Sequence, residues 1–228
     1  MKLKGAVIAF TVFISLMLAV SLNAMEPQKP ETDHIFGLKE EQKIMELSAV
    51  PLDESFKQLK TMDFLINDNL LHKAIFEAFG YRKAEAVDYA LHILQLPEKK
   101  IVSGKLVIGA DDFYLAKKIF EVFPDESVAH LVSLYKKGNV VTKANVIRAL
   151  SKIAGGEPIR KLLIDALDDK TPAQDDNPEM EGIPLRICDI AYNQLVLRYE
   201  IKNVLRTIGT VYGTEVRQYH IDILKNKL

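Results

Sequence analysis

The stretch TKANVIRALSKIAGGEPIRKLLIDALD, residues 142–168, carries the pattern that decides the fold of this chain. Apolar residues recur in steps of three and four on both sides of Gly155-Gly156, as they do in amphipathic helices. The glycine pair is expected to end the first helix, and Pro158 suits the first turn of the second. Thr142 is expected to cap the first helix. The stretch therefore predicts two short antiparallel helices joined by a tight turn.

Helices of the same kind are predicted further towards the N-terminus. One follows Asp111 or Asp112 and stops at Pro124, and the next is expected to be capped by Asp125 and to end at Gly138. Two more apolar stripes end at Gly80 and at Pro97. The sequence thus predicts a succession of short helices with very short turns.

The C-terminal part continues this pattern, with one segment in which a strand competes. Residues 185–197 form another helical stripe, and Thr214 is expected to cap a last helix whose polar face would close the core. Residues 101–109, IVSGKLVIG, are β-branched and bounded by glycine. Because a single strand without a partner cannot satisfy its edges, we interpret this segment as a connection. The predicted fold class is all-α.

The helices also show a weak internal repeat. A shift of 31 residues places Val122 on Ile153, Val128 on Ile159 and Leu131 on Leu162. This spacing falls within the range of roughly 20–50 residues that is typical of stacked helical hairpins. The chain is therefore expected to form such a stack.

Two helices resemble the second helix of HEAT-type repeats, including the short bacterial variety found in phycobilisome lyases. In residues 185–197, LRICDIAYNQLVL, the matching positions are Leu185, Arg186, Asp189, Ala191 and Leu195. In residues 142–154 the match is less close and includes Val146, Ile147, Arg148, Ala149 and Leu150. Residues 157–168 resemble the first helix of such a unit. The resemblance covers roughly residues 111–197 and implies an α-α superhelix of stacked antiparallel hairpins with an extended binding surface.

An acidic insert, residues 168–182 (DDKTPAQDDNPEMEG), departs from this family pattern, which has a short turn at this point. Its composition predicts a solvated loop. Carboxylates in the insert could supply oxygen ligands to calcium, although the spacing of an EF-hand loop is absent. The candidate ligands would be Asp168, Asp169, Asp175, Asp176, Glu179 and Glu181.

The N-terminus has the pattern of a secretory signal peptide. Lys2 and Lys4 precede an uncharged apolar run from Gly5 to Leu22, and Ala24 provides a small residue for cleavage. An uncleaved membrane anchor is the alternative, because 18 apolar residues lie at the lower limit for a bilayer span. We expect residues 1–24 to be removed, residues 25–38 to form an extended leader and residues 39–228 to form the helical domain. The mature protein would be periplasmic or secreted, without a membrane segment.

Composition excludes several classes of protein. Residues 25–228 carry 28 basic and 31 acidic side chains, a formal net charge of −3, and the basic residues are not concentrated, which argues against a nucleic-acid partner. Cys188 is the only cysteine, so an intrachain disulfide is impossible. Its place in an apolar helical stripe predicts a buried, unreactive thiol.

No catalytic constellation is found in the sequence. The five histidines, His34, His72, His92, His130 and His220, have no zinc-site spacing. Gly155-Gly156 lacks the features of a phosphate loop, and Ser103 and Ser133 have no base at motif distance. Arg186 and Asp189 can face each other on one helix, as in the polar ladder between repeats. Tyr192 and Tyr199 are interpreted as packing residues. No catalytic, cofactor or metal residue is predicted.

These features favour an exported, non-catalytic scaffold that binds another protein or peptide on the surface of the stack. The binding residues and the partner are not defined by the sequence. The alternative is a metal-dependent ligand-binding protein or enzyme that uses calcium bound by the insert 168–182.

Overall fold

All regular secondary structure in the described residues is helical. The structure is a computed structural model that describes residues 37–96, 110–173 and 183–228. In these ranges there is no β-strand, and Pro172 and Arg186 form a single isolated antiparallel bridge. The all-α prediction is therefore confirmed. The signal segment 1–24, residues 25–36 of the leader, the connection 101–109 and residues 174–182 of the insert lie outside the described ranges.

The helices follow one another with short connections. In chain order they are α1 (Leu38–Ala49), α2 (Leu52–Leu59), α3 (Met62–Leu65), α4 (Asp68–Phe79), α5 (Lys83–Gln95), α6 (Ala110–Val122), α7 (Pro124–Lys137), α8 (Val140–Ala149), α9 (Gly156–Asp165), α10 (Ile187–Arg198) and α11 (Thr214–Lys225). Short 3-10 turns extend α8 over Leu150–Lys152 and α9 over Ala166–Asp168. No helix in this part of the chain is long and apolar enough to cross a bilayer.

Several predicted helix starts are wrong by a few residues. The helix assigned to a Thr142 cap begins at Val140, because Asn139 Oδ1 accepts a hydrogen bond from the Thr142 backbone N–H at 2.9 Å and is the actual cap. Asp125 lies inside the first turn of α7, which starts at Pro124. Asp111 and Asp112 likewise lie inside α6, and Thr214 is the first residue of α11 instead of its cap.

The predicted leader is one residue too long, since Leu38 already belongs to α1. The chain divides into two units, residues 1–41 and residues 42–228, and the boundary falls within α1. The following description concerns the second unit.

From α4 to α10 each helix contacts the helix two places away in the chain, and several also contact their neighbour. Contacts of the first kind join α4 to α6, α5 to α7, α6 to α8, α7 to α9 and α8 to α10. Consecutive helices also contact each other in the pairs α5 and α6, α6 and α7, α7 and α8, and α9 and α10. The contacts between alternate helices thus link the even-numbered helices from α4 to α10 to each other, and likewise the odd-numbered helices from α5 to α9.

Buried polar side chains tie these helices together at their ends. Asn145 of α8 is buried, and its Nδ2 donates to the Leu94 carbonyl of α5 at 3.1 Å. Arg198 at the end of α10 donates to the Leu150 carbonyl at 2.6 Å and to the Ile153 carbonyl. These bonds satisfy carbonyls that the ends of α5 and α8 leave without a partner in the helix.

The turn before α9 depends on a glycine at a close approach. A Cβ on Gly155 would lie 2.7 Å from Ile159 Cγ1 and 2.9 Å from Val128 Cγ2, which is closer than carbon atoms tolerate. The absence of a side chain at Gly155 therefore allows the start of α9 to pack against α7. This contact positions the two helices that border the groove described below.

Candidate binding groove

The acidic insert is more ordered at its start than its composition predicts. Ala173 is buried, and its N–H donates to the Leu185 carbonyl at 2.8 Å. The N–H of Cys188 donates to the Asp169 carbonyl at 2.9 Å. Lys170, Thr171 and Pro172 are exposed, as the prediction of a solvated loop requires, but the backbone of residues 169–173 pairs with the segment that enters α10 and Ala173 is buried.

The first two predicted calcium ligands are already engaged with lysines. Asp168 Oδ1 lies 2.5 Å from Lys225 Nζ, and Asp169 Oδ2 lies 2.9 Å from Lys143 Nζ. Burial alone would raise the pKa of the Asp169 carboxyl, but hydrogen bonds from Thr171 and Lys143 outweigh this effect and lower it. Among the described residues no group of three or more His, Cys, Asp or Glu could hold a metal ion. The other candidates, Asp175, Asp176, Glu179 and Glu181, lie outside the described ranges.

Arg186 and Asp189 face each other as predicted, and the structure adds a third member. Arg186 Nη2 and Nε donate to the two Asp189 carboxylate oxygens at 2.8 and 3.1 Å. Arg217 of α11, which is fully buried, donates to Asp189 Oδ2 at 2.7 Å. The hydrogen bonds to Asp189 raise the pKa of the Arg186 guanidinium above its usual value. The role of Asp189 is structural, because its carboxylate joins the start of α10 to the terminal helix α11.

Cys188 and Tyr192 are buried, as the sequence predicts. Burial raises the pKa of the Cys188 thiol to about 11, so the reactive thiolate is suppressed at neutral pH. Tyr192 donates its hydroxyl proton to the Leu205 carbonyl at 2.7 Å. Tyr199 remains 36% exposed, with the Arg198 guanidinium 5.6 Å from its ring centroid.

The histidines and serines considered for catalysis do not converge. His72, His92 and His130 are exposed on three different helices, α4, α5 and α7. His220 is half-buried on α11, whereas His34 and Ser103 lie outside the described ranges. Ser133 is half-buried on α7 and lines a shallow groove beside His130.

A charged network joins α4 to α6, and the sequence pattern does not reveal it. Lys118 is only 5% exposed, and its Nζ lies 2.7 Å from both Asp68 Oδ1 and Glu121 Oε2. Tyr114 donates to the same Asp68 oxygen at 2.6 Å. The hydrogen bonds from Lys118 and Tyr114 lower the pKa of Asp68. We interpret this network as a link between the two helices.

An apolar concavity lies between α7 and α9, and we call it the α7/α9 groove. Its volume is about 560 Å³. The floor is formed by Leu162, which is 5% exposed, and by the half-buried Val132 and Tyr135. Exposed residues surround the floor: Lys136, Glu157, Pro158, Lys161 and Asp165. An apolar floor with charged residues of both signs at its edge is the usual chemistry of a ligand or peptide site.

Tyr135 gives this groove a fixed polar group. Burial, reinforced by Asp169 and Asp165, raises the pKa of the Tyr135 hydroxyl to about 12, so it stays protonated at physiological pH. The Lys143 ammonium lies 5.4 Å from the ring centroid and is itself held by Asp169. The start of the acidic insert therefore supports the wall of the groove.

A second, more polar concavity lies on the opposite flank of α7. Its volume is about 480 Å³, and α7 contributes His130, Ser133, Leu134 and Lys137 to it. At 100° per residue these positions lie on the other side of the helix from Val132, Tyr135 and Lys136. The exposed ridge of α7 thus separates two grooves.

No sequence pattern marks these grooves. Tyr135 and Leu162 occupy ordinary positions in apolar helical stripes, and only the packing of α7 beside α9 brings them together. Comparison of the chain with family models, with curated proteins and with solved structures finds no match. The candidate site therefore depends on its own geometry.

Proposed function

We propose that this protein is an exported, non-catalytic helical-repeat scaffold that binds a segment of another protein in the α7/α9 groove. The observation that carries the proposal is the groove itself, an apolar floor of Leu162, Val132 and Tyr135 edged by charged side chains. Its volume of about 560 Å³ accommodates one or two apolar side chains and adjacent backbone.

The pattern of helix contacts supports the scaffold part of the proposal. Contacts between alternate helices from α4 to α10 are those expected if hairpins stack side by side, as the resemblance to HEAT repeats implies. In such a stack α5, α7 and α9 would form one layer, and the α7/α9 groove would open on its surface. Binding along a layer of parallel helices is a common use of repeat proteins.

The charged edge of the groove favours a particular kind of ligand. Lys136 and Lys161 provide positive charge, and Glu157 and Asp165 provide negative charge. An apolar side chain that enters the groove would therefore be flanked in the partner by charged residues of both signs. The protonated Tyr135 hydroxyl can donate a hydrogen bond to the backbone of the bound segment.

Site-specific photo-crosslinking in the native cells tests this proposal. A photoreactive residue at Lys161 is expected to capture a discrete partner band, and the charge reversal Lys136→Glu is expected to weaken that band. The matched control is the same photoreactive residue at His72, which is equally exposed but lies on α4. Identical products from both positions, or no product at Lys161, would reject the groove as the binding site.

The proposed export route has its own test. If residues 1–24 are a cleaved signal peptide, protein recovered from the envelope or the medium begins at Met25. A chain that keeps its N-terminus and remains in the membrane fraction supports the alternative of an anchor.

The metal-dependent alternative is distinguished by calcium titration. Asp169 supports the fold, so the variant replaces only residues 174–182 with a Gly/Ser linker. The scaffold proposal predicts that calcium shifts the melting temperature of neither protein. A calcium-dependent rise in the parent that the variant lacks would instead support the metal-dependent function.

A further inference from the structure

The C-terminal end of the described chain exposes a group of large apolar residues, which we call the C-terminal patch. Its members and exposed fractions are Ile183 (45%), Val211 (82%), Tyr212 (37%), Val216 (46%) and Tyr219 (64%). The sequence predicts that the last helix closes the core with a polar face. The structure instead places Val216 and Tyr219 on the outward side of α11.

Hydrogen bonds hold the patch together. The Ile183 N–H donates to the Thr210 carbonyl at 3.1 Å, next to Val211. Arg217 Nη2 donates to the Ile183 carbonyl at 3.2 Å and thereby fixes this residue against α11. Since Arg217 is buried and bonded to Asp189, the base of the patch is rigid.

The size of the patch fits association with a second copy. From their exposed fractions, the five side chains present on the order of 500 Å², which is near the upper end for a monomeric protein. Two such patches bury about 1,000 Å² when they meet, and this is the lower limit for a specific protein interface.

The outward face of α11 has the spacing of a short parallel coiled coil. Val216 and Ile223 lie seven residues apart and occupy a positions, and Tyr219 occupies the d position between them. The buried residues of this helix, Arg217, Ile221 and Leu224, occupy b and f positions on the opposite side. Val216 and Tyr219 are therefore directed away from the protein's own core, and Ile223 is half-buried beside them.

Charges at the flanking positions make the face complementary to itself. In this register Glu215 is a g position, and His220 is the e position five residues later. Lys227 lies beyond the end of α11 and donates to the Lys202 and Asn203 carbonyls, so it is not counted as a pairing residue. In a parallel pair each g residue faces the e residue of the other copy, so Glu215 of each copy faces His220 of the other. An antiparallel pair would instead bring like positions together.

We propose that the protein forms a homodimer in which the C-terminal patches of two copies meet and their α11 helices pair in parallel. The dimer is independent of the α7/α9 groove and gives the scaffold two copies of that groove. It follows from the exposed Val216 and Tyr219 and from the pairing of Glu215 with His220.

Light scattering over a range of concentrations tests association, using protein purified from cells that express the full chain. The parent is expected to form a dimer at about 100 μM, and Val216→Glu is expected to be monomeric with an unchanged far-UV circular dichroism spectrum. His220→Glu is expected to weaken the dimer at least tenfold, because Glu215 then meets a like charge, and adding Glu215→Arg is expected to restore it. Tyr81→Glu, a change at a fully exposed tyrosine remote in sequence from the patch, is the control and should not alter the dimer.

Disulfide trapping tests the parallel register. Cys188 is buried, so an introduced cysteine is the only accessible thiol of the described chain. Tyr219→Cys is expected to give a disulfide-linked dimer on mild oxidation, since d residues of a parallel pair approach within disulfide distance. Tyr81→Cys should remain monomeric on the same gel. A monomeric parent at 100 μM, failure of the Glu215→Arg change to restore His220→Glu, or equal trapping at Tyr81 would overturn the proposal.

Discussion

Replacement of Asp189 by asparagine is expected to destabilise this protein more than any surface substitution. Asp189 is fully buried and accepts four hydrogen bonds from arginines, namely from the Arg186 backbone N–H, from Arg186 Nε and Nη2, and from Arg217 Nη1, besides a weaker one from the Cys188 thiol. Asparagine keeps the size of the side chain but removes the charge and turns an amide donor towards guanidinium donors. The fully buried Arg217 is then left without its counter-ion.

The magnitude follows from this loss of charge compensation. Removal of one partner from a buried ion pair costs about 3–5 kcal/mol, because the remaining charge stays desolvated. For a chain of this size each kcal/mol lowers the melting temperature by roughly 2–4 °C. We therefore expect Asp189→Asn to lower the melting temperature by about 6–20 °C.

Urea unfolding followed by circular dichroism at 222 nm measures this effect. Two further variants provide comparisons for the free energy of unfolding. Arg217→Met removes the buried arginine but leaves Asp189 bound to Arg186, so its cost should be smaller than that of Asp189→Asn. Glu54→Gln breaks an exposed pair with Lys57 and should change the free energy of unfolding by less than about 0.5 kcal/mol. The reasoning is refuted if Asp189→Asn costs less than about 1 kcal/mol or less than Arg217→Met.

Three further predictions concern packing, thiol reactivity and pH. Gly155→Ala is expected to cost about 1–3 kcal/mol in urea unfolding, because its Cβ meets the side chain of Ile159, whereas Gly213→Ala, with open space around it, should cost much less. Cys188 should react with iodoacetamide at neutral pH only as fast as the protein unfolds, and rapid labelling of the native protein would contradict its burial. The pKa of Asp68 in the folded protein is lower than its ordinary value of 3.8. The ionised carboxylate therefore stabilises the fold at pH values above 3.8, and this stabilisation is lost as the pH falls through the lower pKa of the folded state. The stability difference between the parent and Asp68→Asn should therefore be largest at pH 7 and shrink below about pH 4, and a pH-independent difference would exclude this linkage.

Helix content and most helix ends could be predicted from local patterns. Apolar spacing in steps of three and four, together with Pro124, Gly138 and the pair Gly155-Gly156, separates the helices correctly in the central part of the chain. The exact first residues could not be predicted in the same way. Asn139 and Thr142 are both of a type that caps helices and lie three residues apart, and the cap is decided by which side chain meets a free backbone N–H.

Local patterns also identified the pair Arg186 and Asp189, since residues three apart on one helix face each other. They did not reveal Arg217, which reaches the same carboxylate from a helix that lies 28 residues further along the chain. The partners of Asp168 and Asp169 were missed for the same reason, and these two acids serve as ion-pair residues in the described structure.

The sequence by itself determined that the described chain is helical, where its helices break and that Cys188 is buried, because these properties depend on residues close together in the chain. Tertiary structure alone decided which surfaces are available for binding. The α7/α9 groove and the C-terminal patch arise where side chains distant in sequence meet or are left uncovered. Hydrophobic burial is not directional, so an apolar stripe shows that a helix has a face to bury but not which neighbour covers it. For α11 the stripe that contains Ile221 and Leu224 packs inward, and the stripe of Val216 and Tyr219 remains exposed.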